Sequence, residues 1–173
     1  FEFYINYHSA AELLLYGIGW QVSTPAPDDV ISLAMVGDDE DPAVPGYDPD
    51  ISAELYTTNG DTDTHLTEAF GTLGFTPEMS TCEAASDSVP DDEWEAEDCE
   101  SGFNFPDDEA LIQAEFEKTL PFHLGLANSA SHPATPDSPV GIGVEPFYLD
   151  ADDIDPHNGQ TTMFDFKFGV SYG

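Results

Sequence analysis

Thr161 to Tyr172 reads T-T-M-F-D-F-K-F-G-V-S-Y. Phe164, Phe166, Phe168, Val170 and Tyr172 fall on one side of a period-two ribbon, and Asp165, Lys167, Gly169 and Ser171 fall on the other. Strict alternation specifies a half-buried strand, because a helix would scatter these apolar groups around its circumference. The first residues, F-E-F-Y-I-N-Y, repeat the pattern, with Phe1, Phe3, Ile5 and Tyr7 on one face. Two aromatic ribbons, one near each end of the sequence, predict a sheet that builds both into its core.

Inward from those ribbons, the chain reads as short extended segments separated by punctuated loops. Residues 9–16 fit either a short helical turn, with Ser9 and Glu12 at capping-box spacing, or the start of a strand running through Gly17 to Val22. Val30 to Val36 is a short apolar segment. Gly37 to Asp50 is a Pro- and acid-rich loop, and Ile51 to Thr58 is strand-like up to the Asn59-Gly60 turn. Residues 64–73 favour a short helix on the spacing of Leu66, Phe70 and Leu73. Residues 107–118 fit helix or strand, and the extended style of Leu120 to Leu126 favours strand. Ser129 to Pro139 is a proline-punctuated loop, and Val140 to Leu149 a strand with Pro146 at an edge or bulge. The prediction is one all-β domain over 1–173, a two-sheet β-sandwich or single jelly roll of about eight strands. Long acidic loops decorate it, chiefly an insertion at about 76–108, and it has at most two short helices.

Charge sets the environment. Among 173 residues, Asp and Glu number 36 against only Lys118 and Lys167, for a formal net charge of −34. Surface scaling gives roughly 8,000 Å² for this mass, so each net charge occupies on the order of 240 Å² and neighbours lie about 15 Å apart. The Debye length is about 10 Å at 0.1 M salt and about 3 Å at 1 M, so repulsion acts in dilute buffer and nearly vanishes in brine. The 40% hydrophobic content supplies a core and argues against disorder. The chain therefore reads as halophilic, exposed to a high-salt medium. Direct nucleic-acid binding is excluded for want of Lys and Arg. So is membrane insertion, because the longest unbroken apolar run, Leu13 to Trp20, is far short of a bilayer span.

Cys82 and Cys99 flank the acidic segment S-D-S-V-P-D-D-E-W-E-A-E-D. A disulfide between them would close a loop of about 17 residues and stabilise by about 3 kcal/mol in the chain-entropy model. Two free thiols are the other reading, and neither spacing nor nearby histidines suit zinc. The best metal candidate is D-A-D-D-I-D-P-H-N-G, residues 150–159, where Asp153, Asp155 and His157 alternate as calcium ligands do. Its glycine arrives one place late for an EF-hand, and Phe164 stands where the twelfth-position Glu belongs; a solvated acidic loop is the plainer reading. Gly60-Asp61-Thr62-Asp63-Thr64-His65 is a weaker cluster of the same kind. His8, His65, His123, His132 and His157 are scattered, and His123, in the apolar run Pro121 to Leu126, reads as a hydrogen-bonded core histidine. No nucleophile elbow and no phosphate loop with its lysine is found. With so many acids, a carboxylate pair carries no information. No catalytic residue and no cofactor is implied, beyond bound Na, K or Ca ions.

In size, acidity, strand count and terminal ribbons such as F-E-F-Y-I-N-Y and M-F-D-F-K-F-G-V-S-Y, the whole chain resembles the small single jelly-roll major capsid proteins of haloarchaeal icosahedral internal-membrane viruses. The resemblance implies a non-enzymatic virion subunit that assembles with copies of itself and a second capsid protein. Its loops at 37–50 and 76–108 would form towers or lateral contacts. The alternative is a secreted halophilic β-sandwich binding module for carbohydrate or a cell-surface partner, with Trp20, Trp94 or Tyr residues exposed beside a concave sheet. A secreted halophilic hydrolase would instead need a deep pocket with an unusually desolvated acid.

Overall fold

The computed structural model describes residues 1–22, 28–86, 90, 106 and 108–144. They form an α/β fold rather than an all-β sandwich. The strands are β1 (Phe3–Ile5), β2 (His8–Ser9), β3 (Leu13–Tyr16), β4 (Asp48–Ile51) and β5 (Leu73–Met79). The helices are α1 (Asp29–Val36), α2 (Ser52–Leu55), α3 (Thr62–Phe70), α4 (Cys82–Ser86) and α5 (Glu109–Ser129). All the strands lie in one mixed sheet of order β1-β5-β3-β4, with β2 continuing β1 along β5. β1 and β2 run parallel to β5, β3 runs antiparallel to it, and β4 runs parallel to β3.

β5 is the hub. Its sequence, L-G-F-T-P-E-M, is buried almost throughout, as a central strand flanked on both edges should be. The register Ile5↔Phe75 continues as His8↔Glu78, and the break at Asn6–Tyr7 falls opposite Thr76–Pro77. Proline has no N–H to give the ladder, so the pairing parts there and resumes beyond it.

Alternation then sorts the two faces of the sheet. Phe3, Ile5, Leu14, Tyr16, Leu73 and Phe75 share one face and pack with Ile31 and Met35 of α1 and Phe122 and Leu126 of α5. Phe75 is the pivot, its ring 5.9 Å from Phe122 edge-on and 6.0 Å from Phe3. Burying each such side chain stabilises by about 1.5–3 kcal/mol. The opposite face carries Leu15, Gly74, Thr76 and Glu78 and receives the N-terminal turn of α3.

The sequence reading of an all-β sandwich is thus corrected, and the reasons are local. Residues 109–118, in a stretch that fits helix or strand with strand favoured, and Leu120 to Leu126, read as extended, fall in one continuous helix of 21 residues, Glu109–Ser129, capped by Asp108, whose carboxylate accepts from the Ala110 and Leu111 amides. Its buried stripe runs Leu111, Glu115, Thr119, Phe122, Leu126, so polar residues occupy helical core positions and mask the 3.6-residue period. Val30 to Val36 lies within α1, and Ile51 to Thr58 breaks after Ile51 into α2. Asp48 to Asp50, read as loop, form strand β4 together with Ile51, and Val140 to Val144 is irregular. Residues 9–16 resolve to strand at Ser9 and Leu13–Tyr16. The helix expected over 64–73 is α3, capped by Asp61, and Leu73 opens β5. The insertion placed at 76–108 begins later, because Thr76–Met79 completes β5. Phe3 and Ile5 enter the core as the N-terminal ribbon predicts, whereas Phe1 and Tyr7 are exposed. The C-terminal ribbon lies outside the described residues.

Candidate binding cleft on the polar face of the sheet

The polar sheet face meets α3 and α2 at a cleft lined by Asn6, His8, Leu15, Thr76 and Glu78 from the strands. Leu55, Tyr56, Thr58, Asp61 and Asp63 close the other side. Two glycines make the close approach possible. A Cβ on Gly74 would lie 2.7 Å from the Asp63 Cβ, and one on Gly19 would lie 2.3 Å from Thr58 Oγ1. In place of a side chain, the Gly19 amide donates to Thr64 Oγ1 at 2.7 Å.

Asp61 and Asp63 are two residues apart but serve different ends. Asp61 is the N-cap of α3: its carboxylate accepts from the Thr64 amide (2.7 Å), Thr64 Oγ1 (2.8 Å) and Thr58 Oγ1 (2.6 Å). Burial pushes its pKa up, but these hydrogen bonds outweigh burial and hold it below the ordinary range. Asp63 faces the sheet and is only 4% exposed. Its Oδ2 accepts from Thr76 Oγ1, while Oδ1, also buried, meets no protein donor among the described residues. Burial, with a smaller push from Asp61, raises its pKa to about 6 against the pull of the Thr76 hydrogen bond and His8.

Glu78 stands two residues beyond Thr76 on the same face and is 7% exposed. Burial pushes its pKa up, opposed by His8. His8 is its cross-strand neighbour, with Nδ1 3.5 Å from Glu78 Oε1. The Asn6 amide nitrogen donates to His8 Nε2 at 2.9 Å, which leaves Nδ1 to carry the proton toward Glu78. The cleft is therefore rich in acceptors and poor in donors. Three of its hydroxyls are committed: Thr58 donates to Asp61, Thr76 to Asp63, and Ser52 to the Tyr16 carbonyl at 3.0 Å. None is poised as a nucleophile beside a free base. Tyr56, at the rim, is 62% exposed.

A second polar cluster sits across the fold and serves structure. Lys118 Nζ lies 3.1 Å from Glu115 Oε2, 3.2 Å from Glu12 Oε1 and 2.9 Å from Ser80 Oγ, and 5.1 Å from the centre of the Tyr47 ring. Glu115 also accepts from the Tyr47 hydroxyl, the Ser80 amide (3.1 Å) and Ser80 Oγ (2.9 Å). Burial raises Glu115, but these donors together hold its pKa down. Ser80 is buried and its hydroxyl is saturated, so the Ser80–Lys118 pair pins α5 to the end of β5 rather than presenting a nucleophile.

Of the residues singled out in the sequence, Asp153, Asp155 and His157 lie outside the described residues. Cys82 is buried and disulfide-bonded; the other cysteine, Cys99, lies outside them too. Among the described residues no group of three or more His, Cys, Asp or Glu side chains is placed to hold a metal ion, and no helix is long and apolar enough to cross a membrane. His123 is partly buried on α5 and bonds to the Tyr7 hydroxyl, and burial lowers its pKa. Trp20 is half-exposed, its indole N–H donating to Glu68 at 2.8 Å; Trp94 lies outside the described residues. Glu78 and His8 were missed as a pair because residues from Thr76 onward read as an acidic insertion and no strand was read over 73–79. The alternation Gly74, Thr76, Glu78 was the available signal. Compared with known proteins, the chain matches no family model and no curated sequence.

Proposed function

We propose that this chain is a salt-adapted, non-catalytic recognition domain that binds a small ligand in the cleft between β5 and α3. The observation that carries this reading is Asp63, a nine-tenths buried carboxylate in the cleft wall with one oxygen that no described donor satisfies. Buried acceptors are paired in native structures as a rule, so an unpaired one calls for a partner such as a water, an ion or a ligand. Exposed Tyr56 at the rim adds the aromatic surface expected beside a binding sheet. The charge of −34 supports a high-salt medium, since screening by molar salt relieves the self-repulsion of such a surface.

The shell-subunit reading drew its architecture from a jelly roll, and the mixed sheet withdraws that support. What still favours assembly is a row of exposed apolar residues on α5, Ile112, Phe116 and Leu124. Light scattering on the chromatographed protein in molar KCl separates the two readings. A monomer whose thermal midpoint rises saturably with a small ligand, and whose response is lost in Asp63→Asn, supports the recognition domain. A large symmetric particle, with no ligand response at Asp63, favours the shell subunit.

A further inference from the structure

Deepening the recognition reading, on which it rests, we propose that the cleft takes an organic cation, a primary ammonium or guanidinium head on an aliphatic chain. The head would be held by Asp63 and Glu78, and the chain would lie along Leu15, Leu55 and Tyr56. The cleft wall offers two buried carboxylates, and the ionisable cation that faces them from the lining residues is His8, 3.5 Å from Glu78. Asp63 Oδ1 wants a donor, and Lys118, the described lysine, is engaged elsewhere by Glu12, Glu115 and Ser80. An ammonium or guanidinium supplies N–H groups to both carboxylates in one small head, and such charge-assisted hydrogen bonds are about twice as strong as neutral ones.

Size and lining narrow the class. The cavity amounts to about 70 Å³. At about 30 Å³ per water it admits a head group the size of a couple of waters, and pockets that enclose drug-sized ligands are several times larger. A sugar ring would therefore stay outside, whereas an alkyl chain would leave along the apolar wall. Tyr56, exposed at the mouth, offers apolar surface along which the chain can lie. A hard metal ion would need more oxygen ligands than the cleft converges, since Ca²⁺ takes about 6–8.

The test is calorimetric titration in molar KCl at fixed ionic strength with n-butylammonium and n-butylguanidinium, against n-butanol and methyl glucoside as neutral probes. Saturable binding of the cations, absent for butanol, is expected. Asp63→Asn should weaken it by about tenfold or more, the loss of one charge-assisted hydrogen bond. Glu78→Gln should weaken it less, and Tyr56→Ala, which leaves the carboxylates in place, should lower affinity for the chain-bearing probes. Circular dichroism confirms the fold of each variant; if Asp63→Asn fails to fold, the Glu78→Gln and Tyr56→Ala pair decides. Cation binding insensitive to these substitutions overturns the proposal. Binding of the glucoside but not the cations, lost in Asp63→Asn, overturns it while leaving the recognition domain standing. No saturable binding by any probe overturns both.

Discussion

Replacing Lys118 by methionine keeps the length and apolar stem of the side chain and deletes its charge, which makes it the sharpest probe of how so acidic a chain stays folded. In the native protein the ammonium touches Glu115 at 3.1 Å, Glu12 at 3.2 Å and Ser80 Oγ at 2.9 Å, with side-chain exposures of 12% for Lys118 and 8% for Glu115. Removing it leaves Glu115 a buried anion supported only by the Tyr47 hydroxyl and the Ser80 donors. Breaking one side of a buried pair typically costs about 3–5 kcal/mol. Partly exposed Glu12 keeps some hydration and puts the expectation toward the lower end of that range. Against a typical total of about 5–15 kcal/mol this is a large fraction. Urea denaturation in molar KCl, where screening of the surface is held constant, should show the midpoint falling with an unchanged slope. The same substitution in a Glu115→Gln background should cost much less, because the stranded charge is gone, and the cycle gives the coupling directly. A loss under about 1 kcal/mol, or equal losses in both backgrounds, would refute the claim that this lysine anchors α5 electrostatically.

Three further outcomes follow from the same geometry. Asp63 has a folded pKa raised from 3.8 to about 6, so folding favours its protonated form. Its stabilising contribution is complete below about pH 4 and disappears as pH climbs to about 6, a swing of about 3 kcal/mol; urea midpoints against pH should show that fall, and Asp63→Asn should flatten it and stabilise the protein at neutral pH. Gly74→Ala places a methyl 2.7 Å from the Asp63 Cβ, so α3 must shift, at a cost of about 1–3 kcal/mol, read as a lowered thermal midpoint; an unchanged midpoint would mean that α3 is not seated as described. Desalting should lower the thermal midpoint steeply, with sucrose a poor substitute for KCl, because the penalty is electrostatic self-repulsion; a midpoint indifferent to salt would remove the halophilic reading.

What the sequence made legible depended on whether a side chain's type reports its environment. Phe3 and Ile5 alternate with polar residues and do face the core. α3 was legible from Leu66 and Phe70 at helical spacing, although Phe70 is exposed, the buried residues are Asp63 and Thr64, and the cap is Asp61. α5 stayed hidden because its buried stripe contains Glu115 and Thr119, and because Ile112, Phe116 and Leu124, the residues that catch the eye, are exposed. Pro121 lies inside the helix on its exposed side, where the carbonyl left without its i+4 donor can bond to water. The sheet order was beyond reach for a different reason. β5 joins strands from the first part of the chain across a separation of about 60–70 residues, and β-branched enrichment, the usual strand cue, is nearly absent from L-G-F-T-P-E-M.

The candidate site illustrates the general difficulty of an acidic chain. Composition cannot rank the acids, since Asp61 and Asp63 differ by one turn position and are chemically identical. Burial ranks them. Asp61 is spent on capping α3 and is held ionised by Thr58 and Thr64. Glu115 is spent on anchoring α5 and is held ionised by Tyr47, Ser80 and Lys118. Asp63 and Glu78 are the described acids that share a cleft wall, are both pushed up by burial, and face no lysine among the lining residues. Acids withdrawn from water with only a histidine, His8, beside them cost stability. That cost is the physical ground for the cationic guest proposed for this cleft.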